Sequence, residues 1–91
     1  MKTQYIVQES DKSKRKDFYD YIVNNYDLKI SYPYSKVRFV NDNFPFVVDF
    51  KEKRFWICDS VTCCAAAASR HAIFTIDEFK DMTRRKWYES L

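Results

Sequence analysis

The stretch Phe44-Pro45-Phe46-Val47-Val48-Asp49-Phe50-Lys51-Glu52-Lys53-Arg54-Phe55-Trp56-Ile57-Cys58 decides the fold class. Phe44, Phe46, Val48 and Phe50 fall on one face of an extended chain. Phe55 and Ile57 do the same, against Arg54, Trp56 and Cys58 on the other face. A period of two with one apolar face is the pattern of a half-buried strand. Lys51-Glu52-Lys53 is polar and short enough to close a hairpin. A two-stranded hairpin alone is marginal in water. The rest of the chain must therefore add strands beside it and a layer over its apolar face.

Working outward, Tyr5-Ile6-Val7 within Thr3 to Gln8 reads as a short strand rich in β-formers. Ser10-Asp11 then offers a helix cap. Between Lys12 and Tyr26, Phe18, Ile22 and Tyr26 recur four apart, with Tyr19 and Val23 beside them, which predicts a helix with one apolar face. Asn24-Asn25 is the expected stop, with Asn in the left-handed conformation that glycine usually supplies. Lys29 to Tyr34 reads as a strand, placed at an edge or end by Pro33. Lys36 to Val40 reads as another strand, with Val37 and Phe39 alternating against Lys36, Arg38 and Val40. Asn41-Asp42-Asn43 follows as a turn.

On the C-terminal side, Ser60 to Arg70 holds four consecutive alanines, the best helix formers, and predicts a short helix. Ala72 to Thr75 predicts a last short strand. Thr75-Ile76-Asp77-Glu78 fits a capping box, opening a closing helix that carries Phe79, Met82, Lys86 and Trp87. The expected architecture is a single α+β domain over residues 1–91. Its sheet is mostly antiparallel with about five strands, joined by two main helices and a short alanine-rich one.

Composition narrows the function. The 91 residues are 46% hydrophobic and 32% charged, a globular balance. Glycine is absent altogether. That excludes the dinucleotide-binding glycine loop, the phosphate-binding loop and the glycine-flanked serine nucleophile, which need glycine for positive φ or close backbone approach. The N-terminus lacks a secretory apolar core, and the longest uncharged run, Ser60 to Ser69, is too short to span a bilayer. These features predict a cytoplasmic protein with no membrane partner. An odd count of three cysteines fits a reducing compartment.

Cys58, Cys63, Cys64 and His71 are the soft ligands, but their spacing lacks the usual two-to-four-residue gap between cysteines of a zinc site. His71 is the only histidine, and no residue is placed to orient it toward a cysteine nucleophile. Neither a metal, a cofactor nor a catalytic constellation is expected, so the chain reads as a binding protein and not an enzyme.

Charge location points to a surface. The net charge is +3, and residues 28–56 hold six basic groups against three acidic ones. If outward strand faces coincide, Lys36 and Arg38 join Arg54 and Trp56 in a basic-aromatic patch. Lys12, Lys14, Arg15 and Lys16 form a second basic patch at the first helix, where positive charge opposes the macrodipole. Such surfaces suit a protein partner, since interfaces are enriched in Trp, Tyr and Arg. They also suit single-stranded RNA, whose bases stack on rings while cations meet phosphates.

The segment Phe44-Pro45-Phe46-Val47-Val48-Asp49-Phe50, the hairpin into Phe55-Trp56-Ile57, and the ending Ala72-Ile73-Phe74-Thr75-Ile76-Asp77-Glu78-Phe79 together resemble the small early proteins of T-even-like tailed phages. The resemblance covers about residues 44–80. It implies a protein that takes over host functions or blocks host defence by binding a host factor, such as a defence enzyme, toxin or nuclease. A host protein is thus the expected partner and RNA the alternative. Self-association through an exposed strand edge near Tyr32–Tyr34 is a further possibility.

Overall fold

A computed structural model describes residues 3–30, 36–58 and 73–90. Along the chain these form strand β1 (Gln4–Val7), helix α1 (Lys12–Asn25), strand β2 (Lys29–Ile30), helix α2 (Lys36–Asn41), strands β3 (Phe46–Asp49), β4 (Arg54–Ile57) and β5 (Ile73–Phe74), helix α3 (Ile76–Met82) and a terminal 3-10 turn (Trp87–Ser90). The predicted hairpin is present: β3 pairs antiparallel with β4, Val48 opposite Phe55. The sheet order is β2-β4-β3-β1-β5. It is mixed. The central pairs β1–β3 and β3–β4 are antiparallel, but both edge strands join in parallel, β5 on β1 and β2 on β4. Each parallel pairing follows a crossover through other elements, as parallel geometry requires. The fold class is α+β.

One sheet face carries the core. Tyr5, Val7, Phe46, Val48, Phe50, Phe55 and Ile57 pack there against Phe18 and Ile22 of α1, Phe39 of α2 and Phe79 of α3. Phe18 meets the Phe46 ring at 5.0 Å, and Phe39 meets Phe55 at 4.6 Å. The chain without glycine thus builds its centre from interlocking rings, each pair adding about 0.5–1.5 kcal/mol beyond its buried area.

Several local expectations hold at atomic detail. Asp11 caps α1, accepting from the backbone N–H of Ser13 at 2.9 Å and of Lys14 at 3.2 Å. Thr75 and Glu78 form the reciprocal capping box of α3, at 3.1 and 2.9 Å. Three expectations need correction. Lys36 to Val40 is helix α2 and not a strand. The burial of Phe39 against the rings of α1 and β4 overrides its β-like alternation. Asn24-Asn25 takes no left-handed turn. The cap residue Tyr26 is extended at φ −131°, and the positive-φ residues among those described are Lys53 and Lys86. The closing helix ends at Met82, and Lys86 at φ 54° turns the chain into the 3-10 segment that carries Trp87. The five-stranded sheet is mostly antiparallel, as expected, with parallel pairing at its two edges. The alanine-rich segment lies outside the described residues, as do Tyr32, Pro33 and Tyr34.

A cluster of hydroxyls ties the end of α1 to the C-terminal turn. Tyr26 donates to Thr83 Oγ1 at 3.1 Å, and Thr83 donates to the Phe79 carbonyl at 2.9 Å. Burial raises the pKa values of Tyr26 and Tyr88, and it pushes Tyr21 up to about 12, with help from its bond to Tyr26. Tyr21 is thus harder to ionise in the folded chain than in the unfolded one. Its contribution to stability is complete below the ordinary tyrosine value of 10 and is lost as pH rises through about 12. Titration of tyrosinate absorbance should show part of the tyrosine signal appearing late, together with loss of the near-ultraviolet circular dichroism. A single transition near the free-tyrosine value with the fold intact would contradict it.

Candidate functional site

Strand register places two rows on the sheet face away from the helices. One row runs Lys29, Arg54, Asp49, Gln4, and the other runs Trp56, Val47, Ile6, Ile73. Val47 and Ile6 are buried, Trp56 is half-buried and Ile73 is exposed. Within the first row Asp49 is nearly buried at 8% exposure, accepting from Gln4 Nε2 at 3.2 Å and from the Glu52 backbone N–H at 2.9 Å. The carboxylate therefore fixes the hairpin turn and so faces the structure more than solvent.

The remaining charge of this row is positive. The Lys29 backbone N–H donates to the Lys53 carbonyl at 2.8 Å, which sets β2 beside the start of β4. Lys29, Lys53 and Arg54 therefore converge at one edge, all exposed. Lys53 sits at φ 55°, a left-handed conformation costing a non-glycine residue roughly 1 kcal/mol. The Arg54 guanidinium lies 5.2 Å from the Trp56 ring centroid, in cation–π range. The hairpin thus presents a cationic corner whose arginine is held over an indole.

The structure divides the residues expected to act together. Arg54 and Trp56 share the outward face as predicted. Lys36 and Arg38 do not join them, because α2 packs in the helix layer on the opposite face. There Lys36 pairs with Asp20 of α1 at 2.8 Å and Arg38 with Asp42 at 3.1 Å. Lys12, Lys14 and Lys16 are exposed on α1, but Arg15 is not part of a surface patch: it is 1% exposed. Its Nε donates to the Phe39 carbonyl at 3.0 Å and its Nη1 to the Glu9 carbonyl at 2.6 Å, with the guanidinium 4.2 Å from the Phe46 ring centroid. Position 15 lies three and seven residues before Phe18 and Ile22, on their face of the helix, so helical register already directs it inward. Burial lowers its pKa, while Asp42 and Glu9 act in the opposite direction.

Lys29 and Lys53 are the members of the cationic corner that strand alternation alone did not single out. Their signal in the sequence was the basic excess of residues 28–56, but their meeting depends on the parallel β2–β4 pairing. Cys58 is buried at the end of β4, and its N–H donates to the Pro45 carbonyl at 2.9 Å. Cys63, Cys64 and His71 lie outside the described residues. Among the described residues no cluster of three or more His, Cys, Asp or Glu could hold a metal ion, and no helix is long and apolar enough to cross a membrane. No family model matches the chain, and no curated protein or solved structure is significantly similar to it.

Proposed function

We propose that this chain is a non-enzymatic binding protein that inhibits or modulates a host protein by docking on an acidic surface of that partner. The observation that carries the reading is the corner formed by Lys29, Lys53 and Arg54, with Arg54 held over Trp56. A planar guanidinium placed in advance by an aromatic ring loses less freedom on meeting a carboxylate. The resemblance to early phage proteins supports a takeover or anti-defence role. Two features weigh against RNA as the main partner. Trp56 is the one aromatic side chain on the outward rows of the described strands, and Arg54 already lies against it. Sequential base stacking needs several accessible rings.

The test compares the wild-type chain with Lys29→Glu/Arg54→Glu, both exposed positions, for binding to poly-glutamate and to poly-uridine by fluorescence anisotropy at low salt. The expected result is preferential binding of the acidic polypeptide, lost by at least roughly tenfold in the variant because attraction becomes repulsion. Unchanged binding by the variant would remove the proposed site. Tighter binding of poly-uridine, with a steep salt dependence, would replace the protein partner by RNA.

A further inference from the structure

A cavity of about 270 Å³ opens at the C-terminal end of α1, between the helix end, the β3–β4 hairpin and the 3-10 turn. Its apolar lining is Tyr26, Leu28, Phe50 and Tyr88. The Tyr26 and Tyr88 ring centroids are 4.9 Å apart and their planes meet at 71°, so the two rings form a corner. Phe50 stacks behind Tyr88 at 4.8 Å.

Two independent features make this corner electronegative. The exposed carboxylates of Asp27 and Glu89 line it, against the single ammonium of Lys53. None of these three groups forms an ion pair among the described residues. The helix end adds to the field. Asn25, the last residue of α1, also lines the cavity, and the last turn of α1 contains no basic residue. A helix C-terminus carries roughly half a negative charge, which a nearby cation would offset.

We propose that this cavity binds an organic ammonium group, a quaternary or primary amine head on a short apolar body. The ring corner supplies cation–π attraction, and the carboxylates and helix end supply negative potential. The volume lies below the roughly 300–1,000 Å³ of typical small-molecule pockets, so it fits a head group and not an extended ligand. The inference does not rest on the acidic-partner reading. Lys53 is the residue both share, and it acts with opposite sign in the two: it attracts an acidic partner and opposes an ammonium ligand.

The experiment titrates choline and its neutral isostere 3,3-dimethylbutan-1-ol into the full chain, following backbone amide shifts of Tyr26, Asp27, Tyr88 and Glu89 by NMR. Choline should bind at least roughly tenfold more tightly than the isostere, the scale of a desolvated cation–π contact. Asp27→Asn/Glu89→Gln, at exposed positions, should weaken choline by a similar factor. Lys53→Gln should strengthen choline binding while weakening poly-glutamate binding. n-Butylammonium, run in parallel, separates the sources: tighter binding than choline assigns the site to a primary amine such as a lysine side chain, and weaker binding to a methylated ammonium. Equal shifts from choline and its isostere, no saturable shifts at these residues, or a Lys53→Gln variant that weakens choline would overturn the proposal. A wild-type chain that binds choline but not poly-glutamate would leave this site standing and remove the acidic-partner reading.

Discussion

Replacing Arg15 by Ala should destabilise the fold by about 3–5 kcal/mol. Removing the side chain leaves the buried Phe39 carbonyl and the half-buried Glu9 carbonyl without their charged donor, at roughly 1–3 kcal/mol for a buried acceptor left unpaired. It also removes the guanidinium packed on Phe46. The loss reaches two distant places at once, because Arg15 joins the loop before α1 to the backbone of α2. Nη2 of the same guanidinium is buried with no hydrogen-bond partner among the described residues, so part of the gain is offset by desolvation. Arg15→Met therefore gives a useful contrast: it keeps an unbranched apolar stem and removes the buried charge. It should recover roughly half of the alanine loss, in line with the modest net value of buried ionic groups. Arg15→Lys keeps the charge but has one head for two carbonyls, and it should fall between alanine and wild type. Urea denaturation with unchanged slope reads these differences. An alanine variant within about 0.5 kcal/mol of wild type, the usual range of a surface substitution, would show that Arg15 does not hold α2 in place.

Phe79→Ala should cost a similar amount, about 3–5 kcal/mol, by a different mechanism. Phe79 is fully buried. Its ring touches Phe18 of α1 at 5.5 Å, Tyr5 of β1 at 5.6 Å and Phe50 at the end of β3 at 6.1 Å, lying nearly parallel to the last. One side chain thus joins the short helix α3 to the sheet and to the long helix. A small domain has roughly 5–15 kcal/mol of total stability, so the truncation removes a large fraction of it. Phe79→Leu keeps most of the volume and should cost less than half as much. Thermal unfolding of the two variants should show the alanine midpoint lowest, with α3 amides losing hydrogen-exchange protection first. Equal midpoints for leucine and alanine would mean that the site collapses around the missing ring.

Much of the fold was readable in the chain. The hairpin, the first strand, the span of α1 and the capping box of α3 each follow from residues within one element or one turn. Asp11 before Lys12 and Thr75 before Glu78 act over three residues, and alternation from Phe46 to Ile57 needs only the pleat of a strand. Lys36 to Val40 misled because five residues can satisfy a two-residue period without being a strand. Phe39 is the only one of them in the buried core, and helix α2 delivers it there.

The candidate site was legible in part, for the same physical reason. Arg54 and Trp56 are two apart on one strand, so their shared face is a local property. The company they keep is not. Lys36 and Arg38 went to the helix layer, while Lys29 arrived beside Arg54 through a parallel edge pairing. The inward course of Arg15 was visible in its register with Phe18 and Ile22, although its charge argued for the surface. The sequence by itself determined the alternating and helical faces, the caps, and the exclusion of glycine-dependent chemistry. Tertiary structure decided which cations meet, which arginine is buried, and that a ring-lined cavity forms at the end of α1, because each depends on strand order and layer assignment, which bring together residues far apart in the chain.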